Sequence, residues 1–543
     1  MGILDIIVFV GFIAAVLTVG MFKSRGVGAS SSGGADDYFL AGRGLKWWLI
    51  GFSLIAANIS AEQFVGMSGQ AAGVEGLATA SWEWIASIVL VVAAFVILPY
   101  FLRSGITTIP EFLEIRYNHW ARLLVTLSMT AILVVASLIG VTYAGSLVMS
   151  QFFSSFGWDV PFWGCCLVMG LLAGAYVCFG GLKACAWADL LQGSALIIGG
   201  GIIAYFAVRA FGSADAATLT GVNGATTTAT DIVTRFYDLN EVKMHMGRPA
   251  DDPAMPWTIF LLGMWIPHIY YWSLNQYITQ RVLGSGSLAE GQKGIILAAS
   301  LKLLIPFLIV IPGIMAFNLF AKDMGFFGTE SFKPDGAMGL LVTRLVPQGT
   351  GLMGFVLAAL LGAIVSSLAA VLNAISTLLT MDVYGRYFRR NATPRELVAF
   401  GRWATVTLMV VGIAVASGLK AQSIFTYIQK MQLYVSPGIV AVFAFGLINR
   451  RGARGLGALA LVLSPTLFAA FSFGWPTLHY LHAAAFTLLG TLATMFALGA
   501  FFRMEKPVVF TSATRLDMTP SRGALWAGLA VIAATVALYV IFW

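Results

Sequence analysis

The chain has 543 residues, of which 59% are hydrophobic and only 10% are charged, and its net charge is +8. A soluble globular chain has about 25% charged residues, so this composition excludes a water-soluble fold. The cations are dispersed among short loops, which argues against nucleic-acid binding and indicates a protein embedded in a lipid bilayer.

Apolar stretches long enough to cross a bilayer recur along the whole chain. A transmembrane helix needs about 17 to 25 such residues. We predict an all-α, polytopic membrane protein with about fourteen transmembrane helices. Their predicted limits are 3–22, 47–68, 79–101, 121–148, 160–180, 187–210, 257–279, 291–317, 351–377, 400–419, 422–447, 453–473, 479–502 and 523–543.

Lys and Arg are unevenly divided between the two sets of alternate loops. One set holds most of them, including Lys23, Arg281 and Arg386, whereas the other set is poor in cations. Cytoplasmic loops carry the excess of Lys and Arg. This pattern predicts a multi-pass protein of the plasma membrane, or of the inner membrane in a bacterium, with both termini outside.

Ten central spans form the predicted core, and they divide into two sets of five. Because five is odd, the two sets enter the membrane from opposite sides, which is the inverted-repeat plan of many secondary transporters. The predicted domains are an N-terminal helix and connector (1–46), the first repeat (47–210), an extracellular loop (211–256), the second repeat (257–448) and three peripheral helices (449–543).

The first helix of each predicted repeat contains an irregularity. Asn58-Ile59-Ser60 interrupts the second span, and Gly263 with Pro267-His268 interrupts the seventh. Breaks at membrane depth are tolerated where freed backbone groups line a cavity or contact a partner. We therefore expect both breaks to face one binding cavity.

Charged residues inside spans are the next indication of a site. A charge at a helix centre costs about 2.5 to 3.5 kcal/mol on insertion scales, so it commonly marks a pathway. Glu83 and Lys302 lie well inside spans, and they could neutralise each other across a cavity. His268 and Lys430 are weaker candidates, because a cross-bundle hydrogen bond or a span edge would account for them equally well.

Sugar hydroxyls both donate and accept hydrogen bonds, so a sugar site requires charged groups, amides and an aromatic face. The spans supply such a set in Gln63, Glu83, Lys302, Gln429, Tyr271 and Trp272. Aromatic residues in membrane bundles also serve in packing and at interfaces, which leaves that alternative open.

Ser366 and Ser367 are neighbouring hydroxyls in an otherwise small and apolar span. Helix packing is one explanation for them, since small residues are common at helix contacts in membranes. The other is a sodium site, because a hard cation prefers several oxygen ligands. The carbonyl groups freed between Ala56 and Ile59 could complete it.

Several longer motifs resemble the sodium:solute symporter family, and most closely its bacterial sodium/galactose and animal sodium/glucose members. The motifs are DYFLAGR at 37–43, SLIAANISAEQF at 53–64, NQY at 275–277 with QR at 280–281, and AIVSS at 363–367. The resemblance covers essentially the whole chain and implies a LeuT-like fold and sodium-coupled sugar uptake by alternating access.

The resemblance also implies roles for particular residues. It implies sodium ligation by the carbonyls of Ala56, Ile59 and Ala363 and the hydroxyls of Ser366 and Ser367, with Asp189 behind them. The implied sugar site comprises Asn58, Gln63, Glu83, His268, Tyr271, Trp272, Lys302 and Gln429, with Tyr271 as the inner gate. Two positions depart from the galactose pattern: His268 replaces an asparagine, and Ala86 replaces a serine.

The sequence also leaves three alternatives to sodium/sugar symport. The chain could carry another polar solute, such as an inositol, an amino acid or a vitamin. It could also be a sugar sensor without useful flux, which an appended signalling domain would favour. A membrane enzyme fits worst, because the glycines between Gly284 and Gly294 lack the lysine and hydroxyl residue that end a phosphate-binding loop.

Overall fold

The computed structural model describes residues 2–25, 34–155, 157–325, 332–418, 424–510 and 514–543, with the side chains at 61, 62, 151, 152, 155 and 424–427 excepted. Every regular element in these ranges is helical, as predicted. The predicted boundary between the tenth and eleventh spans, at 419–422, lies outside the described residues.

The α-helices are numbered in chain order. They are α1 Ile3–Lys23, α2 Gly34–Leu40, α3 Trp47–Asn58, α4 Ala61–Ala72, α5 Ser81–Val92, α6 Leu98–Ser104, α7 Ile109–Arg116, α8 His119–Ile132, α9 Ile139–Ser155, α10 Phe162–Ser213, α11 Ile232–Asn240, α12 Trp265–Ile269, α13 Gln276–Leu283, α14 Leu288–Met324, α15 Ala337–Leu345, α16 Leu352–Thr377, α17 Pro394–Gly418, α18 Ile424–Leu433, α19 Ser436–Ile448, α20 Leu456–Gly474, α21 Tyr480–Phe501 and α22 Arg522–Phe542. Wider π-helical turns occupy Ala93–Ile97, Leu133–Leu138, Tyr270–Leu274 and Leu378–Phe388.

Eleven helical segments of the described chain are long and apolar enough to cross a membrane, and the bent pair α3 and α4 raises this number to twelve. The chain is thus a multi-pass membrane protein. Helix α10 has 52 residues, and it includes two of the predicted spans. Gly181 interrupts it with φ 53°, and a Cβ at this position would lie 2.2 Å from the carbonyl oxygen of Tyr38. Only glycine fits this backbone.

The two expected helix breaks have different outcomes. Helices α3 and α4 meet at an angle of 58°, and Ile59 and Ser60 between them have extended backbone angles, as predicted. At the second expected break, Gly263 lies in a turn before α12, but Pro267 occupies the first turn of that helix, where its missing N–H costs nothing. The interruption falls at Asn275, between the π-helical turn and α13.

Helix α16 lies at the centre of the bundle. It forms most of the span Leu352–Phe388, and 94% of the most apolar part of this span is buried. The corresponding value is 17% for each of the peripheral helices α1 and α22. Helix α16 packs against α10 and α1 and reaches the end of α3. This placement brings Ser366 and Ser367 of α16 next to the break that follows α3.

Candidate functional site

A polar cavity lies where the broken helices face each other, enclosing about 50 Å³. Side chains from α3, α4, α5, α12, the π-helical turn after α12, α14 and α18 line it. They are Asn58, Gln63, Trp82, Pro267, His268, Tyr271, Trp272, Lys302, Ile428, Gln429 and Gln432. The cavity therefore brings together seven of the eight residues predicted for the sugar site, and Glu83 lies directly behind them, bonded to Gln63 and Lys302.

Glu83 and Lys302 form the ion pair that the sequence suggested. Lys302 Nζ donates to Glu83 Oε2 at 2.6 Å, and both side chains are almost completely buried. The same ammonium donates to the side-chain oxygen of Asn58. Because the two charges neutralise each other, the cavity contains hydrogen-bonding groups without a net charge from this pair.

Glu83 also fixes the orientation of the Gln63 amide. Gln63 Nε2 donates to Glu83 Oε1 at 3.2 Å, and an ionised carboxylate can only accept. Gln63 must therefore direct its oxygen elsewhere. Among the described residues, Gln63 Oε1 and His268 Nε2 are both buried without a hydrogen-bond partner. An unsatisfied buried polar atom costs about 1 to 3 kcal/mol, so these two atoms favour a polar occupant of the cavity.

Aromatic rings form one side of the cavity. The rings of Tyr271 and Trp272 meet edge to face at 5.0 Å, and Trp82 packs against His268 at 5.6 Å. Lys302 Nζ lies 4.7 Å from the centre of the Trp272 ring, a distance at which cation and ring attract. Tyr271 is held by Asn58, whose Nδ2 donates to its hydroxyl at 2.9 Å. The rings thus offer an apolar face beside polar groups.

Three lining residues were missed by the sequence analysis: Trp82, Ile428 and Gln432. Gln432 could have been found, because it follows the predicted Gln429 by three residues and so lies on the same helix face. Trp82 and Ile428 have no such signal in an apolar helix. Lys430, considered as a weaker candidate, is exposed outside the cavity and lies 5.7 Å from the centre of the Tyr480 ring.

Asp189 is the centre of a second polar network, away from the cavity. Its Oδ1 accepts from the Ser366 hydroxyl at 2.5 Å, and its Oδ2 accepts from Ser53 at 2.5 Å and from Arg281 at 3.1 Å. Arg281 also donates to the Ser53 hydroxyl at 2.7 Å. The network fastens together four helices, namely α3, α10, α13 and α16. Arg281, which the sequence places in a cationic loop, is instead buried in the core.

The residues predicted for sodium come from two places in the chain: the end of α3 with the break after it, and the middle of α16. Ser367 donates to the carbonyl oxygen of Ala57 at 2.8 Å, which joins α16 to the last turn of α3. The last carbonyls of a helix have no partner within the helix, and α3 ends two residues after Ala56. Ile59 and Ala363 are buried in the same region. Hydroxyl and carbonyl oxygens of this kind suit a hard cation.

The cavity and the Asp189 network are joined through two tyrosines. The hydroxyl of Tyr271, at the cavity, is hydrogen-bonded to that of Tyr277 in α13. Arg281, one turn further along α13, donates to the backbone carbonyl of Tyr277 at 2.6 Å. A shift of α13 would thus disturb both sites.

A many-spanning helical bundle with a polar cavity at its broken helices defines a membrane transporter, and comparison with known proteins agrees. The model of the sodium:solute symporter family matches residues 38–463. The chain belongs to this family, whose members couple solute movement to sodium, and it is a transporter and not an enzyme.

Two relatives and one solved structure illustrate the similarity. The sodium/glucose cotransporter of Vibrio parahaemolyticus is 34% identical, over 99% of this chain and 98% of its own. A sodium/myo-inositol cotransporter of Canis lupus familiaris is 30% identical, over 87% of this chain and 68% of its own. The substrate-bound, outward-open structure of a Na+-coupled sialic acid symporter shares the fold, with a TM-score of 0.78 at 20% identity over 93% of this chain and 100% of that one.

Proposed function

We propose that this chain is a sodium/sugar symporter that carries a neutral hexose, such as galactose or glucose, into the cell by alternating access. The observation that carries the proposal concerns two buried atoms at the cavity, Gln63 Oε1 and His268 Nε2, which have no hydrogen-bond partner in the described part of the chain. Sugar hydroxyls can satisfy both atoms, since a hydroxyl donates and accepts.

The charge of the cavity favours a neutral substrate. Glu83 neutralises Lys302 at 2.6 Å, so an anionic or cationic substrate would compete with an existing ion pair. The remaining groups are amides and rings: Gln429 and Gln432 could bind further hydroxyls, while Tyr271 and Trp272 offer a face to the apolar side of a sugar ring. This division of polar and apolar groups is typical of small-molecule sites.

For the transported sodium ion, we propose the carbonyl oxygens of Ala56, Ile59 and Ala363 and the hydroxyl oxygens of Ser366 and Ser367. Both hydroxyls now donate to protein oxygens, and rotating about the C–O bond would turn their lone pairs toward a cation. Asp189 would act from behind, by accepting a hydrogen bond from the Ser366 hydroxyl and attracting the positive charge without direct contact.

Transport requires the cavity to change size. Its volume of about 50 Å³ is well below the roughly 300 to 1,000 Å³ typical of ligand pockets. We propose that Tyr271, held by Asn58, is the inner gate that moves when the sugar enters or leaves. The proposed frame has fourteen crossings, with α10 counted as two and with Trp265–Leu283 as one broken crossing, in two inverted sets of five, with both termini outside.

The test is uptake of labelled solutes into proteoliposomes with and without an inward sodium gradient. The panel contains galactose, glucose, myo-inositol, an amino acid and a vitamin. We expect sodium-stimulated accumulation of a hexose. Binding of a hexose without accumulation would indicate a sensor, and stimulation by a charged solute alone would contradict the proposed cavity chemistry.

Driving force provides a second measurement. None of the five proposed sodium ligands is a carboxylate, so the ion should cross as a full positive charge. One charge moving through 100 mV gains about 2.3 kcal/mol, and a tenfold sodium gradient adds roughly 1.4 kcal/mol. The sum, about 3.7 kcal/mol, could concentrate a neutral sugar on the order of 500-fold. An inside-negative potential should therefore speed uptake, and voltage-independent uptake at every pH would contradict simple sodium symport.

A cyclic polyol is the second candidate substrate. The favouring observation is the 30% identity to a sodium/myo-inositol cotransporter, together with a cavity whose groups would bind ring hydroxyls of either molecule. The same panel decides, because the preferred substrate is the one with the larger ratio of maximal rate to half-saturating concentration.

A further inference from the structure

A second polar cavity, of about 390 Å³, is separate from the transport site. Three arginines line it, Arg386, Arg390 and Arg454, together with Glu114 and His119. None of these residues belongs to either ion pair of the core. We call this space the basic cavity.

The position of the basic cavity follows from the ends of three membrane-spanning helices. His119 is the first residue of the candidate span His119–Ser150, and Arg386 lies two residues before the end of the span Leu352–Phe388. Arg454 lies two residues before α20. Three span ends at one place put the cavity at the depth of the lipid headgroups.

The cavity carries an excess of positive charge. Glu114 accepts from two arginines, Arg386 and, at 2.7 Å, Arg122, so its charge is already shared. Among the described residues, neither Arg390 nor Arg454 belongs to an ion pair. Guanidinium groups bind phosphate oxygens through two parallel hydrogen bonds, which suits them to an anionic headgroup.

Hydrogen bonds beside the cavity hold its walls in place. The fully buried Arg116 donates to the carbonyls of Gly446, at 3.0 Å, and Asn449, at 2.5 Å, which fixes the loop leading to Arg454. Tyr387 donates to the carbonyl of His119 at 3.4 Å, which joins the end of one span to the start of another. The backbone around the recess is therefore held in place, and the side chains of Arg390 and Arg454 are exposed on it.

Two large, exposed aromatic side chains adjoin residues of the recess along the chain. Trp120 follows His119 and is 56% exposed, and Phe388 follows Tyr387 and is 74% exposed. Aromatic side chains are enriched where the hydrocarbon core meets the headgroups. A freely soluble anion would gain nothing from these rings, whereas the acyl chains of a lipid could lie against them.

We propose that the basic cavity binds the phosphate headgroup of an anionic phospholipid. Arg390 and Arg454 would contact the phosphate, and Trp120 and Phe388 would contact the acyl chains. Basic pockets between helices on the face rich in Lys and Arg commonly bind such headgroups. The proposal is independent of the transported substrate, because no residue of the transport cavity takes part.

The test compares the unmodified chain with the variant Arg390→Gln/Arg454→Gln. Each protein is exchanged into mixed micelles with increasing phosphatidylglycerol, and native mass spectrometry counts the lipids that stay bound. We expect the unmodified chain to retain one phosphatidylglycerol and to bind phosphatidylcholine more weakly. Removing two cations should weaken retention on the order of tenfold or more.

The matched control is Arg503→Gln/Arg515→Gln, which removes the same charge from exposed positions outside the cavity. This control should retain the lipid as the unmodified chain does. Equal loss in both variants would mean that only general surface charge attracts lipid, and retention in the cavity variant would equally overturn the proposal. Elution at the normal volume on size exclusion establishes that the variants are folded, and Arg454→Gln alone is measured if the double variant fails this check.

A second arm separates a lipid from a soluble anion. Inorganic phosphate and glycerol phosphate are added at millimolar concentration to the protein in neutral detergent. We expect neither to raise the melting temperature, while phosphatidylglycerol does. Stabilisation by the soluble anions, lost in the cavity variant, would assign the cavity to a soluble phosphate compound and overturn the lipid proposal.

Discussion

Glu83–Lys302 and Asp189–Arg281 are both carboxylate–cation pairs buried in the membrane-spanning core, but their surroundings differ. The first pair lies beside a cavity, where Gln63 Oε1 and His268 Nε2 have no partner among the described residues. In the second pair, both carboxylate oxygens are satisfied by protein donors.

The difference indicates two roles for the same chemistry. Burying an ion pair seldom adds stability, because desolvation offsets the Coulomb attraction. The Glu83–Lys302 pair instead holds the side-chain amides of Gln63 and Asn58 at the wall of the polar cavity. The Asp189–Arg281 pair closes a network across four helices and holds the Ser366 hydroxyl at the proposed ion site. Substitutions at Glu83 or Lys302 should therefore affect sugar transport, and substitutions at Asp189 should affect the dependence on sodium.

Breaking the pair at the cavity should have the largest effect. Lys302→Ala leaves the Glu83 carboxylate buried without its cation, which costs about 3 to 5 kcal/mol. We expect a lower melting temperature and no sugar uptake. Lys430→Ala is the control, because that lysine is exposed outside the cavity. The double variant Glu83→Gln/Lys302→Gln should recover melting temperature but not uptake. If uptake recovers with it, the pair serves only the fold.

Removing the proposed sodium hydroxyls should have the next largest effect. Ser366→Ala/Ser367→Ala deletes both side-chain ligands while α16 keeps its packing, so sodium stimulation of uptake should disappear. Ser376→Ala is the matched control: it lies in the same helix and is equally buried, but it donates to the carbonyl of Gly401. Unchanged sodium dependence in the double variant would show that the ion binds elsewhere.

Asp189→Asn should produce a partial effect confined to the ion. The amide keeps the shape of the side chain but loses the charge, and a hydrogen bond to a charged group contributes about 1.5 to 3 kcal/mol. We expect the half-saturating sodium concentration to rise about 10- to 100-fold, with sugar affinity at saturating sodium unchanged. Glu83→Gln should give the reverse pattern. The same pattern in both variants would contradict the distinction between the two pairs.

Gln432→Ala should have the smallest effect, because the residue contributes one hydrogen bond at most to a neutral hydroxyl. Such a bond is worth about 1 kcal/mol, or roughly a fivefold change in binding. We expect the half-saturating sugar concentration to rise by this factor, with no change for sodium. Gln348→Ala, at an exposed position, is the control. An effect on sodium alone would place Gln432 outside the sugar site.

Much of the lining of the polar cavity could be predicted from the sequence, because polar residues are rare in membrane-spanning segments. Lys302 and Gln63 stand out because a polar or charged side chain is costly in an apolar span and therefore commonly marks a site. Trp82 was missed because an aromatic residue is ordinary in such a helix. The pairing of Arg281 with Asp189 was also missed. An arginine near the end of a span looks in the sequence like a loop residue, and 92 positions separate Arg281 from Asp189.

The sequence by itself determined that this chain is a many-spanning membrane protein and that a helix break follows Asn58, because hydropathy and the cost of polar groups in lipid act locally. Only the tertiary structure decided which partners meet. It placed the second break at Asn275 and not at Pro267, since a proline in the first turn removes no hydrogen bond. It also gathered arginines from two span ends into one cavity, since packing brings together residues that sequence separation keeps apart.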